Sequence, residues 1–287
     1  MKNFNTKTYK RKIFRTISKY KLVEEGDKIF IGLSGGKDSG AACYLISEYI
    51  REKKVKCELV SFFIKLGDFV PDEHIETVEK QAEICKIPLK IYDVKNYGID
   101  FKKLKKHPRP ICSSCGIVKR YLMNKIPREE GANKLCTGHH GDDFIIFFMK
   151  NILGNNINWI GKFTPLLPGR GKQLSRIRPL FFAGGKDNKK FCDEIKFPYV
   201  EEDKCPYIFL KKKIDKRRKK WYETIENIEI WQPDFKEHFL KGIISLTEKI
   251  KTEGDEIKEC EICGEPTSEK ICAFCRILKS QEKHIGN

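Results

Sequence analysis

Apolar residues in this chain come in short runs, separated by stretches whose apolar positions recur at helical spacing. Lys28-Ile29-Phe30-Ile31-Gly32-Leu33 is a compact apolar run that ends in Ser34-Gly35-Gly36-Lys37-Asp38-Ser39, and helical spacing then holds to about residue 52. A second strand is predicted over residues 58–64, followed by a helix over 73–85, and a third strand at Leu89-Lys90-Ile91-Tyr92. The alternation continues with a helix over 115–125, a strand at Lys134-Leu135-Cys136-Thr137, a helix over 142–153 and a strand over 177–182. Alternating strands and helices predict an α/β fold with a doubly wound, mainly parallel sheet. Residues 154–176, with several Gly and Pro, read as an extended loop on the active side, and residues 209–252 read as helical and basic throughout.

At 287 residues the chain is long enough for one sizeable core plus a small accessory module, since single cores stop growing near about 250–300 residues. The expected division is a basic N-terminal segment (1–27), a catalytic domain (28–208), a basic helical segment (209–256) and a C-terminal cysteine module (257–287). No run approaches the roughly 18 apolar residues of a spanning helix, and residues 1–20 are too rich in Lys and Arg to hold a signal-peptide core. A cytoplasmic protein without a membrane partner is expected. The formal charge of +17 would attract a polyanion. Much of it is clustered, in residues 7–12, 102–107 and 211–220, and three basic patches fit a nucleic-acid footprint.

The loop after the first strand is where a parallel sheet offers helix N–H groups to an anion. Gly35 and Gly36 allow close backbone approach, Ser34 and Ser39 add hydroxyls, Lys37 a positive charge, and Asp38 either a helix cap or a magnesium contact. The spacing is neither that of a kinase-type phosphate loop nor that of a dinucleotide fingerprint.

With twelve cysteines and no secretory signal, metal binding or thiol chemistry is expected rather than a disulfide framework. Cys260-x-x-Cys263 and Cys272-x-x-Cys275 have the spacing of a closed tetrahedral zinc site, a structural one because no further ligand is evident. Cys112-x-x-Cys115 precedes a helix bearing Lys119 and reads either as a metal-ligand pair, with Cys205 as a third candidate, or as a redox dithiol. Cys43, Cys57, Cys85, Cys136 and Cys192 stand singly in elements and read mostly as small core residues.

The hexapeptide Ser34 to Ser39 resembles the PP-loop of ATP pyrophosphatases, which cleave ATP between the α and β phosphates. Together with Cys112-Ser113-Ser114-Cys115-Gly116-Ile117-Val118-Lys119-Arg120, Thr137-Gly138-His139-His140-Gly141-Asp142-Asp143, Arg178-Pro179-Leu180 and Cys205-Pro206-Tyr207, it is similar in type and order to the TtcA/TtuA family of tRNA 2-thiolation enzymes. That resemblance implies an adenine nucleotide alpha hydrolase-like fold with a C-terminal zinc ribbon. It implies a 4Fe-4S cluster on Cys112, Cys115 and Cys205 with one iron open to sulfide. It implies ATP with Mg2+ held by the loop residues, Ser61, Gly138 and Asp143, and Lys119 and Asp143 as the catalytic pair. The implied partners are tRNA and a sulfur donor (sulfide, a persulfide or a sulfur-carrier protein), with a homodimer as one assembly.

The C-terminal module resembles the 2-thiouridine branch. That branch begins with another zinc module, whereas residues 1–28 here lack cysteine; it carries a His-x-Asp-Leu-Gly run where this chain has Phe63-Ile64-Lys65-Leu66-Gly67, and an acidic residue where this chain has Phe144. The activity this implies is adenylation of a pyrimidine C2 carbonyl and its replacement by sulfur, giving 2-thiouridine. The alternatives at this stage are 2-thiocytidine synthesis, an amine-ligating lysidine-type PP-loop enzyme, and a zinc-ribbon nucleic-acid-binding protein with a vestigial ATP loop.

Overall fold

The computed structural model describes residues 4–106, 109–201, 217–250 and 258–282. In chain order its elements are α1 (Thr6–Lys19), β1 (Lys28–Leu33), α2 (Lys37–Lys53), β2 (Glu58–Lys65), α3 (Asp72–Cys85), β3 (Leu89–Asp93), α4 (Ile111–Glu129), β4 (Lys134–Cys136), α5 (Gly141–Leu153), β5 (Leu166–Leu167), β6 (Ser175–Ile177), α6 (Gly185–Glu194), α7 (Arg217–Trp231), α8 (Phe235–Lys249), β7 (Lys258–Glu259), β8 (Pro266–Thr267) and α9 (Ala273–Glu282).

Six of the strands form one sheet in the order β3-β2-β1-β4-β6-β5, parallel except for β5, and β7 and β8 pair with each other, antiparallel. The central strands β1 and β4 are almost wholly buried, which is why they read as continuous apolar runs rather than alternating ones. From β1 the chain moves outward to β2 and β3, then returns to β4 on the other side of β1. Right-handed crossovers therefore put helices on both faces, and the carboxyl ends of β1 and β4 open a crevice at the switch point.

Two elements carried no clear signal in the sequence. Helix α1 buries Tyr9, Ile13 and Ile17 in the same core as the sheet and packs on α2 and α6. Helix α6 buries Phe191 and Cys192 beside them. The strand expected over 177–182 is instead Ser175–Ile177. It stops because Pro179 has no N–H for a ladder, and residues 178–183 turn, with the Phe181 N–H donating to Arg178 and the Ala183 N–H to Leu180. Residues 154–176 contain a 3-10 helix (Ile157–Lys162) and β5. The basic helical stretch breaks between α7 and α8, where Pro233 interrupts the pattern and Asp234 takes φ +62°. Both helices belong to a second apolar cluster with α5, built on Phe144, Ile146, Phe181, Ile225, Leu240 and Ile243.

The C-terminal module is seated on α4. Phe274 of α9 is buried and stacks on Tyr121, ring centroids 3.8 Å apart and parallel. Glu265, also buried, is held by Arg128 and lies 3.7 Å from Lys125 Nζ. Gln281 accepts from the Asp100 N–H at 2.8 Å and donates to the Gly98 carbonyl at 3.1 Å, so α9 is tied to the far end of the sheet as well. Phe274→Ala removes the stacked ring and should cost about 3–5 kcal/mol of local stability. Hydrogen exchange should then accelerate in α9 and the C-terminal half of α4 while β1 and β4 keep their protection; equal acceleration throughout would show that the module and the sheet unfold as one.

Candidate active site

The glycine loop has the shape its residues demand. Gly35 takes φ +79°, a conformation that side chains resist, and its carbonyl accepts from Gln81 Nε2 at 3.2 Å and from the Val200 N–H at 2.9 Å. Ser39 Oγ closes the loop by accepting from the Ser34 N–H and donating to the Gly36 carbonyl, both at 3.1 Å, and lies 3.0 Å from Ser34 Oγ. The start of α2 thus lies at the crevice, with Lys37 Nζ 3.2 Å from Asp38 Oδ2.

Asp38 is supported from a distance. Asn188 Nδ2 in α6 donates to its Oδ1 at 2.6 Å, and Asn188 Oδ1 accepts from the Tyr9 hydroxyl at 2.6 Å. Burial, then the Asp187 charge, pushes the Tyr9 phenol well above its ordinary value, so it stays a donor. Beside this relay, burial holds the Cys192 thiol up at about 12, with Asp38 adding to the effect; Cys192 is a core residue, as Cys43, Cys85 and Cys136 are.

The loop after β4 meets α2 head on. A Cβ at Gly138 would lie 2.6 Å from the Ser39 nitrogen and 2.7 Å from the Asp38 carbonyl carbon, so only glycine fits. Five residues on, Asp143 is buried in the first turn of α5. Its Oδ1 accepts from the Tyr222 hydroxyl of α7 at 2.6 Å and its Oδ2 from the His140 N–H at 3.3 Å. The buried His140 ring lies 3.6 Å from Asp143 Oδ2 and 3.9 Å from Asp38 Oδ2, bridging the two loops. His139 lies in the cleft with Nδ1 3.0 Å from Thr137 Oγ1; crowding by protein lowers its pKa, opposed by Asp143 and aided by Arg178.

Pro110 precedes α4, and the helix begins at Ile111, so Cys112 and Cys115 occupy its first turns rather than a loop before it. At a spacing of three they share one helix face. Cys112 is exposed and Cys115 half-buried, and Lys119 follows one turn further on, also exposed. Crossover geometry sets this helix start at the same sheet edge as the glycine loop. Cys205 lies outside the described residues. Ser61 is buried within β2, opposite Ile31, and its hydroxyl donates to the Pro88 carbonyl at 2.8 Å; the structure does not bring that hydroxyl to the loop.

The second cysteine set converges. The sulfurs of Cys260, Cys263, Cys272 and Cys275 lie within 4.8 Å of one another, and Cys263 and Cys272 are 3.7 Å apart. Tetrahedral zinc with Zn–S near 2.3 Å needs sulfurs about 3.8 Å apart, so the four residues fit the ion. Burial raises the Cys260 thiol, but N–H groups from Cys272, Cys263 and Ile262 outweigh it and lower its pKa, whereas burial pushes the Cys272 and Cys275 thiols up, so the convergence of the four sulfurs rather than their acidity is what suits a metal ion.

The sequence pattern that defines the PP-loop domain matches residues 5–205. The chain belongs to the PP-loop family. It is 32% identical to the tRNA-5-methyluridine(54) 2-sulfurtransferase of Pyrococcus horikoshii, over 93% of this chain and 84% of that one. With the tRNA-cytidine(32) 2-sulfurtransferase of Geotalea daltonii it shares 27% identity, over 84% and 92% of the two chains. Among solved structures it resembles the U34-tRNA thiolase NcsA from Methanococcus maripaludis with its 4Fe-4S cluster, at TM-score 0.77 and 25% identity over 95% of this chain and 87% of that one.

In this PP-loop protein the residues not singled out from the sequence are those that act through others: Tyr9, Asn188 and Tyr222 reach Asp38 and Asp143 across separations of 79 to 179 residues. No local pattern encodes such contacts. The Gly138 contact has a direct consequence. Gly138→Ala forces a methyl group against backbone, so the loops must part; stability should fall by about 1–3 kcal/mol and ATP affinity by at least ten-fold. Calorimetric titration with ATP checks this, and unchanged affinity would mean that the two loops do not share one ligand.

Proposed function

We propose that this PP-loop protein is a cytoplasmic, ATP-dependent tRNA thiolase that adenylates a pyrimidine C2 carbonyl and replaces its oxygen with sulfur, making 2-thiouridine. The observation that carries this reading is a nucleotide-binding crevice and a cysteine pair opening on one sheet edge: the glycine loop joined to the Gly138 loop, and Cys112 and Cys115 at the start of α4. The relatives named above act on tRNA, uridine among them, and the four-cysteine module supports the uridine branch over the cytidine one. Residues 28–208 form the catalytic unit, residues 1–27 and 209–256 are the basic segments that meet RNA, and residues 257–287 carry structural zinc.

A pyrimidine carbonyl oxygen is a poor leaving group. The base oxygen therefore attacks the α-phosphorus of ATP, and pyrophosphate departs. The α2 N–H groups and Lys37, with Mg2+ as the counter-ion of ATP, stabilise the charge on that pyrophosphate. Lys119 stabilises the α-phosphate, and Asp143, fixed by Tyr222 and the His140 N–H, orients the base or the magnesium ion. Ser34, Gly35, Gly36, Asp38 and Ser39 shape the phosphate cradle together with Gly138, while the Ser61 hydroxyl ties β2 to the Pro88 carbonyl at the entrance to β3. A sulfur nucleophile from the donor then adds to C2, and AMP leaves with the original oxygen. Cys112, Cys115 and Cys205 are the residues that would hold a 4Fe-4S cluster, which when bound supplies an iron with a position open to sulfide.

The two half-reactions should separate. Asp38→Ala is expected to cut RNA-dependent pyrophosphate release at least a hundred-fold in a protein that still folds, with a lowered Tm because the buried Asn188 amide loses its acceptor. Cys112→Ala should bleach the anaerobically purified protein and stop thiolation while adenylation persists. Nucleoside mass spectrometry of the tRNA product identifies the modified base. A colourless wild type that releases pyrophosphate and ligates an amine would instead favour a lysidine-type enzyme; full thiolation by colourless Cys112→Ala protein would remove the cluster from the scheme.

A further inference from the structure

In a chain with 40 Asp and Glu among its 287 residues, the stretch 144–186 contains none, and it contains seven Lys and Arg. The same stretch holds a cluster of exposed apolar side chains. Of the eleven large apolar residues left exposed among the described residues, Phe147, Ile152, Leu153, Ile157 and Trp159 all fall here. Leu153 is 72% and Trp159 58% exposed, and every residue from 152 to 159 lies at the surface. Their presentation is fixed rather than loose. The 3-10 helix Ile157–Lys162 buries Ile160 completely, and the Thr247 hydroxyl of α8 donates to the Ile160 carbonyl at 3.0 Å. With Ile160 turned in, its neighbour Trp159 is turned out, and Lys162 Nζ stands 4.1 Å from the centre of its ring. Leu153 also lines a cavity of about 490 Å³ with Lys150, Gly154, Arg217 and Trp221, large enough for a nucleotide. Lys172 is paired with Glu259, whereas Lys150 and Lys162 have no carboxylate within ion-pair distance among the described residues.

Apolar and aromatic side chains interleaved with cations, and with no acid among them, suit a partner that is flat, apolar-faced and anionic at once. Unpaired RNA has that chemistry, since its bases offer π-faces and its phosphates carry the charge. We propose that an unpaired stretch of the RNA substrate lies across the end of α5 and this 3-10 helix, with one base stacked on Trp159 and phosphates on Lys150 and Lys162. The surface is continuous with the crevice. Helix α5 carries Asp143 in its first turn and Leu153 about 15 Å further along its axis. Between them the exposed Phe147 ring lies 6.1 Å from the His139 ring in the cleft, centroid to centroid. A strand that follows α5 outward therefore has the reacting base at one end and meets Trp159 at the other. A second copy of the chain fits this surface less well, because a two-fold contact sets the patch against its own image, cation toward cation. The proposal rests on the reading of the chain as a tRNA-modifying enzyme and adds the place where a base other than the reacting one is held.

Binding of an unmodified tRNA transcript to the full-length protein over a salt series tests this. Trp159→Ala should weaken binding about ten-fold and leave the slope of log affinity against log salt unchanged, because the lost contact is uncharged. Trp159→Phe should recover most of the loss. Lys150→Gln and Lys162→Gln should each lower the slope by about 0.7, the value for one phosphate of a single strand. Tm should hold in Trp159→Ala, whose side chain is mostly in solvent, and so should ATP affinity measured without RNA. Unchanged tRNA affinity in Trp159→Ala and an unchanged slope in both lysine variants would overturn the proposal. A loss of ATP affinity would give the surface to the nucleotide and overturn it too. So would intact tRNA binding by Trp159→Ala combined with a changed oligomeric state in sedimentation, which assigns the patch to a second copy, or with lost binding to phosphatidylserine vesicles, which assigns it to a membrane. A wild type that binds tRNA no better than it binds a polyanion such as heparin would sink the functional reading itself, whereas specific wild-type binding with unaffected variants sinks this surface alone.

Discussion

The contact between Gly138 and the first residues of α2 is the constraint around which the site is organised. Two loops from neighbouring parallel strands reach the same point from opposite directions because the chain order reverses between β1 and β4. They approach so closely that a single Cβ would separate them. That approach sets the start of α2 against the loop leading to His140 and Asp143, so the glycine loop and the Asp143 carboxylate share one crevice. The His140 ring, buried between Asp38 and Asp143, fills what space remains.

Around this crevice the supporting groups come from elements outside the two loops. Helix α1, basic on its exposed side, sends Tyr9 inward to Asn188 and so to Asp38. Helix α7 sends Tyr222 to Asp143. These hydrogen bonds are buried or half-buried, where a lost partner leaves a polar group in low dielectric, and they fix the two carboxylates more firmly than exposed contacts would. Helices α1 and α7 therefore brace the site with their inward-facing tyrosines.

Helix α4 links the remaining parts. Its start carries Cys112, Cys115 and Lys119, its middle stacks Tyr121 on Phe274, and its end clamps the buried Glu265 with Arg128. The four-cysteine module is thus continuous in packing with the helix that presents the cysteine pair. A metal ion held by the four cysteines would brace α4 as well, because a segment this short would depend on it for its own shape.

Much of this was legible along the chain, because the signals were local. Five of the six sheet strands follow from apolar runs or turn chemistry, though Pro179 ended β6 earlier than its apolar residues suggest. The glycine loop and the Cys112–Cys115 pair are encoded by spacing within a few residues, as are the two pairs of the C-terminal module, whose four sulfurs do converge. The elements that escaped, α1 and α6, are polar helices with a narrow buried stripe, which periodicity alone separates poorly from a solvated segment. Local chemistry, then, was decided by the sequence: a parallel sheet, a phosphate loop after its first strand, two classes of cysteine site and a surplus of positive charge. Only the tertiary structure decided which distant residues meet: Tyr9 with Asn188, Tyr222 with Asp143, and the Ser61 hydroxyl with Pro88 rather than with the loop. The reason is physical. A spacing of three or four residues fixes geometry through the backbone itself, whereas a contact across more than fifty residues depends on how sheet order, crossover hand and side-chain packing bring two surfaces together.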